Sequence, residues 1–206
     1  MASEQEQASQ IQVVPEPPPY QQTGYWGPTN LDENPAVVLV RERFPDAFLE
    51  AYNFRDEVSI RIRPEALREV ALFLRDDPNL RFALLSDETA VDMLRLRDEP
   101  RFDVVVQLYS IPMKRRLRVK CGLDDGQVVP SLVPVFAGAN WLEREIYDMF
   151  GILFEGHPNL RRILLPEDWD EGHPLRKDYP LRGYREYVQP GYETPAPRIK
   201  SRMRRS

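Results

Sequence analysis

The 206-residue chain predicts an α+β fold: a two-layer sandwich of a mostly antiparallel or mixed sheet with helices on one face, followed by a long extended C-terminal segment. Three observations carry that expectation. The apolar pattern runs helix, strand, helix and then mostly strands, which favours segregated layers over alternating βα units. Several strands pair an apolar face with a charged one, as sheets with one wet side do. Periodicity then stops near Phe154 and leaves a Pro-punctuated stretch to Leu181, too long for an ordinary connection.

Residues 1–34 are expected to be disordered or partner-bound. They are rich in Gln, Glu and Pro and hold too little apolar surface to offset ordering entropy, although Tyr20, Tyr25 and Trp26 are able to dock on a partner. The globular domain is expected over 35–154, and an interface segment with a basic tail over 155–206. Ala36–Phe44 predicts a short helix that Pro45 interrupts, with a further helical turn or two over Asp46–Tyr52. Val58, Ile60 and Ile62 alternate with Ser59, Arg61 and Arg63, a half-buried strand. Pro64 suits a first helical position, and Leu67, Val70, Ala71 and Leu74 make the stripe of an amphipathic helix over 64–75. Arg81–Ser86 predicts a strand and Thr89–Leu96 a short helix. Phe102, Val104, Val106 and Leu108 share one strand face. Leu117, Val119 and Cys121 share another, opposite Lys114, Arg116, Arg118 and Lys120. Ser131–Phe136 is expected as a last strand. Asn140 is expected to cap a helix with Glu143 as its capping-box partner, Leu142, Ile146, Met149 and Phe150 as its apolar stripe, and Gly151 as its left-handed end.

Composition excludes several functions. The formal charge is −5, so a nucleic-acid surface, which needs dense positive charge, is not expected. Residues 1–35 carry acids and no Lys or Arg, whereas 198–206 carry five bases and no acid. A single cysteine, Cys121, excludes an internal disulfide and a self-contained Cys-ligated cluster or Cys-rich zinc site. The ten glycines form no phosphate-cradling motif. No apolar run approaches the roughly 18 residues of a spanning helix, and the start lacks signal-peptide character, so any membrane association is expected to be peripheral.

Both histidines sit in the same tetrapeptide, Glu155-Gly156-His157-Pro158 and Glu171-Gly172-His173-Pro174, each followed closely by Leu and a basic pair. Together with Asp168, Asp170 or Cys121 they invite a zinc site, and hence a stand-alone metal enzyme. Their spacing matches no compact ligand motif, however. A Gly before and a Pro after the His instead make a fixed turn whose imidazole can hydrogen-bond a neighbouring element. Glu143, Glu145 and Asp148 lie on one helix, yet no nucleophile–base pair accompanies them. Arg144, Arg161 and Arg162 nearby point to ion-pair networks.

The run Ala139-Asn140-Trp141-Leu142-Glu143-Arg144-Glu145-Ile146-Tyr147-Asp148-Met149-Phe150-Gly151-Ile152 resembles the signature of the C subunit of NADH–quinone oxidoreductase, the 30 kDa subunit family of respiratory complex I. So do Phe154-Glu155-Gly156-His157-Pro158-Asn159-Leu160-Arg161-Arg162-Ile163-Leu164 and Gly172-His173-Pro174-Leu175-Arg176-Lys177-Asp178-Tyr179-Pro180-Leu181. Asn159 departs from the family's usual Asp, and Asp170-Glu171 is one residue longer than usual.

The resemblance implies a peripheral-arm subunit with no cofactor and no catalytic residue of its own. In the complex, NADH is oxidised, electrons pass through FMN and Fe–S clusters on other subunits, and quinone is reduced. The implied partners are the large quinone-site subunit and its Fe–S neighbours, at the cytoplasmic side of a bacterial cell membrane that this chain contacts only through the complex. The same docking role in a related ferredoxin-driven complex or membrane hydrogenase stays open. The expected interface comprises Trp141, Glu143, Arg144, Glu145, Tyr147, Asp148, His157, Pro158, Leu160, Arg161, Arg162, His173, Pro174, Arg176, Lys177, Asp178 and Tyr179, with Arg161, Arg162, Arg176 and Lys177 pairing with acids across it.

Overall fold

The structure, a computed structural model, describes residues 30–181 and Gly183. The expectations for residues 1–29 and for the basic tail fall outside the described residues.

The expected α+β sandwich forms around a five-stranded mixed sheet in the order β1-β2-β5-β4-β3. Its strands are β1 (Phe48–Phe54), β2 (Glu57–Ile62), β3 (Leu84–Asp92), β4 (Phe102–Ser110) and β5 (Arg115–Leu123). All neighbours are antiparallel except β2 and β5, which run parallel. Three helices, α1 (Pro35–Arg43), α2 (Leu67–Asp76) and α3 (Ala139–Phe150), contribute buried residues to one core with the apolar strand face. A parallel two-stranded ribbon, β6 (Val128–Pro130) and β7 (Leu153–Glu155), flanks α3 in sequence.

The strongest patterns fold as they read. Ile60, Val119 and Val106 lie abreast across β2, β5 and β4, as do Ile62, Cys121 and Val104, all buried. Leu67, Val70, Ala71 and Leu74 of α2 are likewise buried, and each large side chain so removed from water contributes about 1.5–3 kcal/mol. Pro64 starts a 3-10 turn, Pro64–Ala66, that leads into α2. Residues 30–34 form a turn in which the Asn34 side chain caps α1, accepting from the amides of Ala36 and Val37.

Four local expectations give way to tertiary structure. Asp46–Tyr52 is not helical. Phe48–Phe54 pairs with β2 through a tight turn at Arg55-Asp56, whose φ values of 52° and 66° match the right-handed twist of a hairpin. Arg81–Ser86 and Thr89–Leu96 are not a strand and a helix. Arg81 has φ 49°, and one strand, β3, then runs from Leu84 to Asp92 along β4 with a bulge between Leu85 and Asp87. Ser131–Phe136 turns instead of extending: Val135 and Phe136 N–H both donate to the Leu132 carbonyl, while the strand precedes it at Val128–Pro130. Finally, α3 begins at Ala139 with Gly138 at its cap, so Asn140 caps nothing and Glu143 forms no capping box. Glu143 turns inward and accepts from Leu132 N–H at 2.5 Å.

Candidate interface module: α3 and the segment 155–181

Helix α3 exists because Ile146, Met149 and Phe150 recur at helical spacing and bury against the sheet, with Leu142 half-buried beside them. It stops at Gly151, whose φ of +76° suits glycine. The same residue is sterically reserved, since a Cβ there would lie 2.4 Å from His173 Nε2.

An α-helix leaves its last four carbonyls without helical partners. Here the chain itself supplies every one. Tyr147 O accepts from Gly151 N–H at 2.9 Å, and Asp148 O from His173 Nδ1–H at 3.0 Å. Met149 O accepts from Leu175 N–H at 3.1 Å, and Phe150 O from Arg176 Nε at 2.6 Å. The second Gly-His-Pro turn is therefore a helix C-terminal cap, and its Arg brings positive charge to the negative end of the helix dipole. The first serves the other end. His157 Nδ1 accepts from Asn159 N–H at 3.0 Å, which leaves Nε2–H to donate to Asn140 O at 3.1 Å. The two rings thus bond carbonyls eight residues apart, about 12 Å along the helix, too far for one metal ion. Among the described residues no group of three or more His, Cys, Asp or Glu is placed to hold one.

Between the two turns the segment is gripped from the side of α3. Arg144 donates to the carbonyls of Arg161 and Arg162 at 3.1 and 3.0 Å. Asp148, one helical turn on, holds the next residues by the opposite groups. Its Oδ2 accepts from the amides of Ile163, Leu164 and Leu165 at 3.1, 2.9 and 2.8 Å, and its Oδ1 pairs with Arg162 at 2.7 Å. Burial pushes the Asp148 carboxyl up, but these three amides and the guanidinium outweigh it and hold it below the usual carboxylate range.

A second anchor lies at the end of β3. Buried Asp92 accepts from Lys177 N–H at 2.9 Å and from Leu94 N–H at 2.9 Å, and pairs with Arg101 at 3.1 Å. Burial again opposes ionisation, and Arg101 and the two amides again win. Arg101 also bonds Asp125 and Asp178, while Arg176 bonds Asp125, and both guanidiniums lie about 5 Å from the Phe102 ring. Sequence reasoning missed Asp92, Arg101 and Asp125. Little local marks them, because apart from the Leu94 amide beside Asp92 their partners are 9 to 85 residues away.

The structure sorts the expected interface residues into three groups. Glu143, Arg144, Asp148, His157, Arg162, His173 and Arg176 spend hydrogen bonds on this chain, as do the amide of Lys177 and the carboxylate of Asp178. Arg162 and Arg176, expected to meet acids of a partner, meet Asp148 and Asp125 of their own chain. Leu160 packs against the core, and Tyr147, Pro174 and Tyr179 are half-buried, with Tyr147 edge-on to His173. Trp141, Glu145, Pro158 and Arg161 face outward. Three apolar side chains on or beside α3 are left largely in water: Trp141 at 61%, Leu164 at 60% and Leu175 at 52% exposure.

Comparison with known proteins identifies relatives of the whole described domain. The family described as respiratory-chain NADH dehydrogenase, 30 Kd subunit, matches residues 60–185. The C subunit of NADH-quinone oxidoreductase from Roseiflexus sp. (strain RS-1) is 51% identical over 152 residues, 73% of this chain and 86% of that one. The corresponding protein of Geotalea uraniireducens (strain Rf4) is 48% identical over 153 residues, 74% and 90% of the two chains. Among solved structures, a chain of the membrane-bound sulfane sulfur reductase, an archaeal respiratory membrane complex, aligns with TM-score 0.52 and 25% identity over 70% of this chain and 84% of that one. The chain belongs to the family of the 30 kDa subunit of respiratory-chain NADH dehydrogenase.

Proposed function

We propose that this chain acts as a docking subunit of an NADH:quinone oxidoreductase, with α3 and the segment strapped to it forming the face that meets the quinone-site subunit and its iron–sulfur neighbours. Electrons pass from NADH through FMN and clusters held by those other subunits to quinone, and this chain's part is positional. The observation that carries the reading is the sorting of side chains on the module. Its polar groups are consumed in fixing the segment, while Trp141, Leu164 and Leu175 remain exposed beside the charged Arg161 and Glu145. A large aromatic ringed by polar groups on a rigid element is the usual anatomy of a protein interface.

The donor set supports the absence of a cluster on this chain. Cys121 is buried, and burial pushes its thiol well above the range in which a thiolate forms. Among the described residues no helix is long and apolar enough to cross a membrane. The proposed placement, at the cytoplasmic face of the cell membrane, is through the partner subunits. The likeness to a chain of the sulfane sulfur reductase complex favours a fold that serves as the same docking piece beside other electron donors or acceptors.

The test replaces Trp141 by Ala and Arg161 by Glu in cells lacking the native chain. The expected outcome is a folded subunit that no longer migrates with the flavin- and cluster-containing complex on native gels. Normal assembly of both variants, with electron transfer lost while every cluster is present, would overturn the reading.

A further inference from the structure

Two carboxylic acids are buried in the core on elements that pack together, one on β3 and one on α3. Glu88 stands on the inward face of β3, abreast of Val106 of β4, 2% exposed, and neither of its carboxyl oxygens has a hydrogen-bond partner. Glu143 is fully buried on α3. Its Oε1 accepts from Leu132 N–H, and its Oε2 has no partner. Buried carboxylates normally find a cation or several N–H donors; here three of four oxygens have neither.

The neighbours do not supply a counter-charge to Glu88. Asp87 on its own strand adds like charge, Cys121 from β5 is a buried thiol, and Glu143 from α3 is an acid. Arg68 from α2 acts on Glu143, but its guanidinium is committed to the carbonyls of Ser131 and Glu155, at 2.8 and 2.7 Å. A carboxyl buried with no donor or counter-charge does not readily ionise near neutrality.

We propose that the buried Glu88 carboxyl is a proton-binding site, in which one proton taken from solvent is held beneath the packing of α3 on β3 and keeps the helix seated on the sheet. Burial, Glu143 and Asp87 hold the Glu88 carboxyl well above the usual range. Burial pushes Glu143 up to about 7, against the pull of Ser131, the Leu132 amide and Arg68. A raised folded-state value means that the stabilisation is complete below the ordinary glutamate range, falls as pH rises above that range, and is gone once pH passes the folded value. Helix α3 also carries Arg144, Asp148 and the carbonyls that hold 155–181, so proton loss reaches that segment. None of this depends on what the segment docks against.

The test compares the full chain with Glu88→Gln, a neutral side chain of the same shape, by denaturant unfolding between about pH 5 and pH 9. The wild-type folded-to-unfolded ratio is expected to fall by up to about tenfold per pH unit for each proton released. Glu88→Gln should lose most of that dependence and be the more stable protein at the alkaline end. The same pH dependence in both proteins would overturn the proposal. If Glu88→Gln does not fold, infrared spectra of the wild type decide. A protonated-carboxyl carbonyl band that persists near pH 7 and titrates away above it supports the site, and absence of that band near neutrality removes it.

Discussion

Asp148→Asn separates the two things this carboxylate does. The substitution keeps an oxygen for the amides of Ile163, Leu164 and Leu165 but removes the charge that Arg162 pairs with at 2.7 Å. Asp148 is fully buried and the Arg162 side chain is 19% exposed, so breaking this pair belongs to the class that costs about 3–5 kcal/mol. The three amides are only partly buried and water can reach some of them, which places the expected loss near the low end, about 3 kcal/mol. That loss is local: it loosens residues 161–165 from α3 and leaves the sheet intact. Trypsin cutting after Arg161 or Arg162 should therefore accelerate by about 100-fold, the factor that corresponds to about 3 kcal/mol. The companion Arg162→Met should cost much less in the Asp148→Asn background than in the wild type. Cleavage within about twofold of wild type, with additive single and double variants, would refute the idea that the charge on Asp148 holds the segment.

The other anchors make parallel predictions. His173→Ala leaves the Asp148 carbonyl without its donor and should cost about 1–3 kcal/mol, read as lost amide-exchange protection at the end of α3 and not in β4 or β5. Gly151→Ala meets both a left-handed backbone and the His173 ring, so a loss above about 1 kcal/mol is expected in thermal unfolding, and part of it should vanish in the Gly151→Ala, His173→Ala double variant. Acidification should free the segment first. Asp92 and Asp148 are both held below the ordinary range, so their stabilisation is present above it and is lost as pH falls below about 4; protease sensitivity at 161–177 should rise before the sheet unfolds. A segment that stays protected while the sheet melts would count against both anchors.

The parts of this molecule written in local pattern were legible from sequence. Leu67, Val70, Ala71 and Leu74 read as one helix face because the periodicity that predicts burial also creates it. The strands β4 and β5 read equally well, since each has one face that is apolar over all but its end residue. The edge strands did not. Phe48–Phe54 and Leu84–Asp92 extend because β2 and β4 offer them ladders, and no short-range signal announces a partner. Candidate-site legibility divides along the same line. The paired Gly-His-Pro turns were visible as turns with an imidazole to place, but the carbonyls of Asn140 and Asp148 that receive those imidazoles lie 17 and 25 residues back. Glu143 read as a cap three residues beyond Asn140; the amide it serves is Leu132, in a loop whose course no propensity fixes.

The last turn of α3 has a consequence for when this chain can finish folding. Three of its four terminal carbonyls wait for donors at His173, Leu175 and Arg176. During synthesis, which proceeds from the N-terminus, the sheet and the first two helices are complete long before those residues leave the ribosome. The helix proposed to carry the interface is therefore closed by nearly the last described residues to emerge, and a nascent chain stalled before 173 would present a finished sheet with an unfinished last helix.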